Sequence, residues 1–129
     1  MLNVGLDVGH NPAVRISLSK LIFGIAFFTI AIANQALAGS VDQARITKIA
    51  INKDLGPMLF IATDSAKVSN PACHTNGTWT FVLPLNDDID QKMMAIILAA
   101  RALQAPIALQ GNGQCNVFGS VETLVYQTY

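Results

Sequence analysis

The chain has 129 residues, 52% hydrophobic and 12% charged, with eight basic and eight acidic side chains. Its charged fraction is about half the roughly 25% of ordinary soluble domains, and the balanced charge removes the basic surface that nucleic-acid binding requires. No charge run, repeat, low-complexity tract or linker divides it, so one compact domain is expected once the N-terminal segment is set apart.

That segment comes first in the chain. Residues 21–33, LIFGIAFFTIAIA, form an unbroken apolar run of 13, with Arg15 and Lys20 just before it. The run is too short for a hydrocarbon core, which takes about 20 apolar residues. NQALA and then GS follow, so Ala36 and Ala38 stand at the small-residue positions that a signal peptidase reads. Residues 1–38 therefore read as a signal peptide cut after Ala38, with a retained N-terminal anchor as the alternative. The mature domain, Gly39–Tyr129, has 91 residues; without Arg15, Lys20 and Asp7 it carries six basic and seven acidic groups, a net charge of −1. It is expected to be exported, periplasmic or secreted, and to leave the membrane on cleavage.

In the mature chain, residues 44–51, ARITKIAI, alternate as a strand and end at NKDLGP. Residues 58–62, MLFIA, make a second strand, joined to the first by a hairpin-like turn at Gly56 and Pro57. A polar loop over 64–77 carries Cys73. The aromatic and β-branched run TWTFVL, 78–83, is the third strand.

After Pro84, the cluster Asn86, Asp87 and Asp88 caps a helix that begins at Ile89 and stops at Pro106. At 100° per residue, Ile89, Met93, Ile96, Ile97, Ala100 and Leu103 share one face. Met94 and Leu98 fall off it, alanines fill most of the remainder, and Lys92 and Arg101 are the main interruptions. A helix on one sheet needs one apolar stripe, and this one has nearly two. Met94, Leu98 and Arg101 are accordingly candidates for a subunit interface; complete burial inside the monomer is the other reading.

PIALQ, 106–110, gives a fourth strand, GNGQC, 111–115, a glycine turn, and ETLVY, 122–126, a fifth. The order β-β-β-α-β-β matches a five-stranded OB-like Greek-key barrel with its helix between strands three and four, an all-β or α+β class. An α+β sandwich with the helix on a meander is the alternative topology.

Two cysteines, Cys73 and Cys115, both lie in the exported part, where oxidation is permitted and only one intramolecular pairing exists. The bridge would close a loop of about 42 residues, for which chain entropy gives about 4 kcal/mol. A reactive thiol would need an activating partner, and His74, the one histidine left after cleavage, stands next to Cys73. One His and two Cys form no metal-ligand spacing, and no cofactor motif is present. GNGQC also lacks the Lys, Ser or Thr and following helix of a phosphate loop.

Trp79 stands beside the loop SNPACHTNGT. Sugar sites combine an aromatic platform with directional polar groups, as pockets in general combine an apolar body with a few placed polar ones. Ser69, Asn70, His74 and Trp79 are thus candidate ligand-binding residues; Trp79 as an ordinary core residue of the third strand is the competing reading. Catalysis finds less support. Asp87, Asp88 and Asp90 are explained by the helix start, Asp64 and Glu122 have no partner visible in sequence, and no catalytic residue is assigned.

The run from Cys73 through TWTFVLPL, the helix MMAIILAARAL, then PIALQGNGQC and ETLVY resembles small exported bacterial proteins related to the subtilase cytotoxin B subunit. The likeness extends over most of the mature chain. It implies an OB-like fold with a cysteine pair, self-association with a pentamer as the model, helices lining the centre of the ring, and cell-surface glycans as ligands. The leading expectation is a non-enzymatic, self-associating binding module. The alternative is a periplasmic interaction or inhibitor protein that covers its helix with a different partner.

Overall fold

The computed structural model describes residues 37–129; the signal-peptide reading of residues 1–38 falls almost wholly outside them. Six strands, one short 3-10 turn and one helix make up the domain: β1 Ser40–Ala44, β2 Ile46–Ile51, β3 Met58–Thr63, β4 Phe81–Pro84, α1 Asp88–Leu103, β5 Ile107–Gly111 and β6 Leu124–Thr128, with the turn at Lys53–Leu55. They form two three-stranded antiparallel sheets, ordered β1-β5-β6 and β2-β3-β4. This is a small α+β fold. The expected five-stranded closed barrel is corrected to two sheets, joined by one parallel bridge between Val82 and Thr123.

The physical reason for the extra strand lies at the first element. The expected strand over 44–51 is two strands, because the ladder breaks at Arg45. Its N–H donates to Asp64 Oδ1 at 2.8 Å instead of to a neighbouring strand. Just before it, Gln43 takes φ 53 and the β1–β5 register slips between Val41 and Ala44. A bulge of this kind turns the chain from one sheet into the next. Polar SVDQA does not announce a strand, yet Val41 and Ala44 are fully buried in it.

The hairpin at Gly56 and Pro57 forms as expected, with Gly56 at φ 95, where a side chain would be strained. β4 begins three residues later than expected, since Asn76 Oδ1 accepts the N–H groups of both Thr78 and Trp79. β6 begins two residues late for a similar reason. The Glu122 N–H donates to His74 Nδ1 at 3.1 Å, and its carbonyl accepts from Val82 N–H at 2.9 Å.

The helix is started by Asp87, whose Oδ1 accepts from the N–H groups of Ile89 and Asp90, each at 2.9 Å. It ends at Gln104 in the left-handed region, φ 53, before Pro106. Ile97 and Ala100 are its fully buried residues, and Met93 and Met94 pack partly against the same core. That core collects Val41, Ile46, Leu59, Ile61, Phe81, Leu83, Ile107, Leu109 and Leu124 from both sheets. β3 and β4 are buried on both faces. Phe60 and Val82 point away from the main core into a second cluster with Met58 and Val121, flanked by Trp79, Val117 and Phe118.

Of the expected apolar face, Ile89, Ile96 and Leu103 are exposed. The helix turns inward about Ile97 and leaves Ala95, Ile96, Leu98, Ala99, Ala102 and Leu103 on the outside, with Leu98 41% and Leu103 76% exposed. Leu98 also borders a shallow groove with Ile49, Ala50, Ile51 and Leu59. Arg101 is half-buried.

Candidate ligand-binding site

The chemistry of the domain gathers where the 64–80 loop meets the segment 111–123. Cys73 and Cys115 are bonded, with Cα atoms 6.0 Å apart, and tie the two segments together. Beside the bridge, Glu122 is 0% exposed and lies within a ring of donors. Its Oε1 accepts the N–H of Gly39 and the N–H of Gly113, both at 2.8 Å. Its Oε2 accepts from Lys67 Nζ at 2.8 Å, and the Lys67 side chain is only 3% exposed. Lys67 Nζ also lies 3.1 Å from His74 Nδ1 and 4.9 Å from the centre of the Phe81 ring, a cation–π contact.

A buried carboxylate persists only with a partner and satisfied lone pairs, and here two of the three partners, Gly39 and Lys67, come from distant parts of the chain. The glycines of GNGQC serve this arrangement. Gly113 turns at φ 76 and aims its N–H at Oε1. Gly111, expected in the turn, is instead the last residue of β5, and a side chain there would run into the Glu122 carboxyl group. The motif is a structural staple and a cradle for Glu122.

The charges follow from the packing. Burial pushes the Lys67 ammonium below its usual range, while its hydrogen bond and attraction to Glu122 pull it partly back. His74 is held below the usual imidazole range, first by burial and then by the Lys67 charge, against smaller opposing effects of Glu122 and of a backbone hydrogen bond at Asn76. Because the Glu122 amide is a donor, His74 Nδ1 is the acceptor, and the neutral ring carries its proton on Nε2. No carboxylate meets the imidazole directly; Lys67 stands between. The trio is a locked structural network.

Lys67 and His74 of this network line an open cleft of about 270 Å³, together with Asp64, Asn70, Asn76, Thr78 and Trp79, among others. Three of the four sequence-expected ligand residues, Asn70, His74 and Trp79, are therefore brought together. Ser69 goes elsewhere: its Oγ donates to the Ala38 carbonyl at 2.6 Å. Trp79 combines both readings given to it, since it is half-buried against Phe60, ring centres 5.6 Å apart, and also borders the cleft. Lys67 and Asp64 were not singled out for this site in the sequence. The available signal was Glu122 itself, a lone acid inside VETLV that a strand end can hold only with buried partners.

Among the described residues, no group of three or more His, Cys, Asp or Glu side chains is arranged to hold a metal, and no helix is long and apolar enough to cross a membrane. No family model, no curated protein and no solved structure matches this chain.

Proposed function

We propose that this chain is an exported, non-enzymatic binding module that self-associates and takes a surface glycan in the cleft beside Trp79. The observation that carries the reading is the cleft's composition. A half-buried tryptophan is set among the polar groups of Asn70, Asn76, Asp64 and Thr78, on a back wall fixed by a disulfide and a buried ion pair. Sugars are bound by such a mixture of aromatic surface and pre-positioned polar groups. His74, with Nδ1 already taken by Lys67 and the Glu122 amide, is a wall residue, which favours binding over catalysis.

Self-association rests on the outer face of α1. Ile96, Leu98 and Leu103, with the adjoining Ile51 of β2, are large apolar side chains left in water by a single copy. A second copy covering this strip places its helix against Leu98, and the pentameric ring implied by the resemblance to subtilase cytotoxin B subunits is the assembly proposed. OB-like topology belongs to the same proposal. It is supported by the direct run of β1 into β2 through Arg45 and by the Val82–Thr123 bridge between the sheets.

Glycan-array screening of residues 39–129 tests the reading. Binding that is lost in Trp79→Ala, with unchanged folding, supports it; a folded oligomer that binds no glycan removes it. A stable monomer would favour the interaction or inhibitor protein, whose helix is covered by another chain.

A further inference from the structure

Among the described residues, the first buried one, Gly39, coincides with the residue that signal cleavage would expose. Leu37 is 71% exposed, Ala38 is half-buried, and Gly39 is buried. The Gly39 carbonyl accepts from Gly111 N–H at 2.8 Å, which begins the edge pairing of β1 with β5. Its own nitrogen lies 2.8 Å from Glu122 Oε1. A side chain has no room here: a Cβ on Gly39 would come within 2.5 Å of Glu122 Oε2 and 2.6 Å of the Ser69 carbonyl. The small-residue pattern at Ala36 and Ala38 places the scissile bond directly before this nitrogen.

We propose that hydrolysis of the Ala38–Gly39 bond converts the Gly39 amide into an α-ammonium that forms a buried ion pair with Glu122, completing the site from within. This inference rests on the export reading above. In the step, water adds across the C–N bond: its hydroxyl goes to the Ala38 carbonyl and a hydrogen to the Gly39 nitrogen. The proton of the new Ala38 acid passes to the Gly39 amine, and the released peptide leaves as a carboxylate. The peptidase supplies catalysis only.

After cleavage each oxygen of Glu122 meets a cation, Gly39 at Oε1 and Lys67 at Oε2. Ser69 Oγ, released from the Ala38 carbonyl, becomes an acceptor for a second ammonium N–H. The carboxylate then meets a full opposite charge at Oε1 where the amide offered a neutral donor. Lys67 and His74 are the titratable side chains facing Glu122 in the structure.

The test compares the chain starting at Gly39 with one starting at Ala38, which keeps the N–H at position 39 without its charge. At neutral pH the Gly39 form is expected to have a folding constant larger by about tenfold. The Gly39 amine, buried against Glu122, reacts with reductive-methylation reagents far more slowly than the Ala38 amine. Equal stability together with equal amine reactivity overturns the ion pair. Intact-mass measurement of the exported protein tests the premise separately. A start other than Gly39 would remove the cleavage site while leaving the paired-amine comparison to stand or fall on its own.

Discussion

In a chain that keeps Ala38, replacing Lys67 by Met removes the one cation that the described residues place on Glu122. The stem still fills its space, but Oε2 loses its 2.8 Å donor, and Oε1 keeps the two backbone N–H groups of Gly39 and Gly113. A fully buried carboxylate is then left with no opposite charge. Breaking one side of such a pair costs about 3–5 kcal/mol, a large share of the roughly 5–15 kcal/mol that holds a domain together. The second step separates charge from packing. In Lys67→Met/Glu122→Gln the amide oxygen still accepts from Gly39 and Gly113 and no charge remains buried, so the double variant is expected to be more stable than Lys67→Met alone. Urea denaturation followed by Trp79 fluorescence measures all three. A loss below about 1 kcal/mol for Lys67→Met, within the range of an exposed ion pair, would refute the reasoning. So would a Glu122→Gln change that adds its own loss on top.

Glycine 111 to alanine forces a methyl group against the Glu122 carboxyl group and is expected to cost about 1–3 kcal/mol by overpacking. Gly119→Ala, with nothing within 4 Å of the new Cβ, serves as its neutral control in the same melts. Replacing both Cys73 and Cys115 by alanine opens the loop of separation 42 and is expected to remove about 4 kcal/mol, or less where the unfolded state keeps structure. His74 is held neutral, so its folded pKa lies below its unfolded one. Its contribution is therefore intact above about pH 6.5 and falls as acid protonates a ring nitrogen that already faces two donors. Stability profiles from neutral to mildly acidic pH should lose this slope in His74→Gln; an unchanged slope would exclude His74 as its source.

The order from β2 through β6 was readable because β3, β4, α1 and β5 declare themselves by apolar runs and by Pro or Asp boundaries. β1 was hidden because SVDQA sends only Val41 and Ala44 inward, and its bulge at Gln43 breaks the period-2 pattern. The disulfide was legible from the cysteine count together with the expected export of both cysteines. The Glu122 network was not. Its members stand at 39, 67, 74, 113 and 122, and no local pattern links residues that meet only when both sheets form. Glu122 looked partnerless in ETLVY since its partners lie up to 83 positions away. Ser69, next to Asn70 in sequence, does not line the cleft; its hydroxyl donates to the Ala38 carbonyl. Trp79 could not be assigned to core or cleft from its neighbours because it belongs to both.

Native mass spectrometry of Gly39–Tyr129 with and without glycan tests the central claim most directly. The account predicts a closed homo-oligomer that takes up glycan in proportion to its subunits, dissociates in Leu98→Asp, and stays assembled but ligand-free in Trp79→Ala. A folded monomer, or an oligomer whose glycan uptake is indifferent to Trp79, would contradict it.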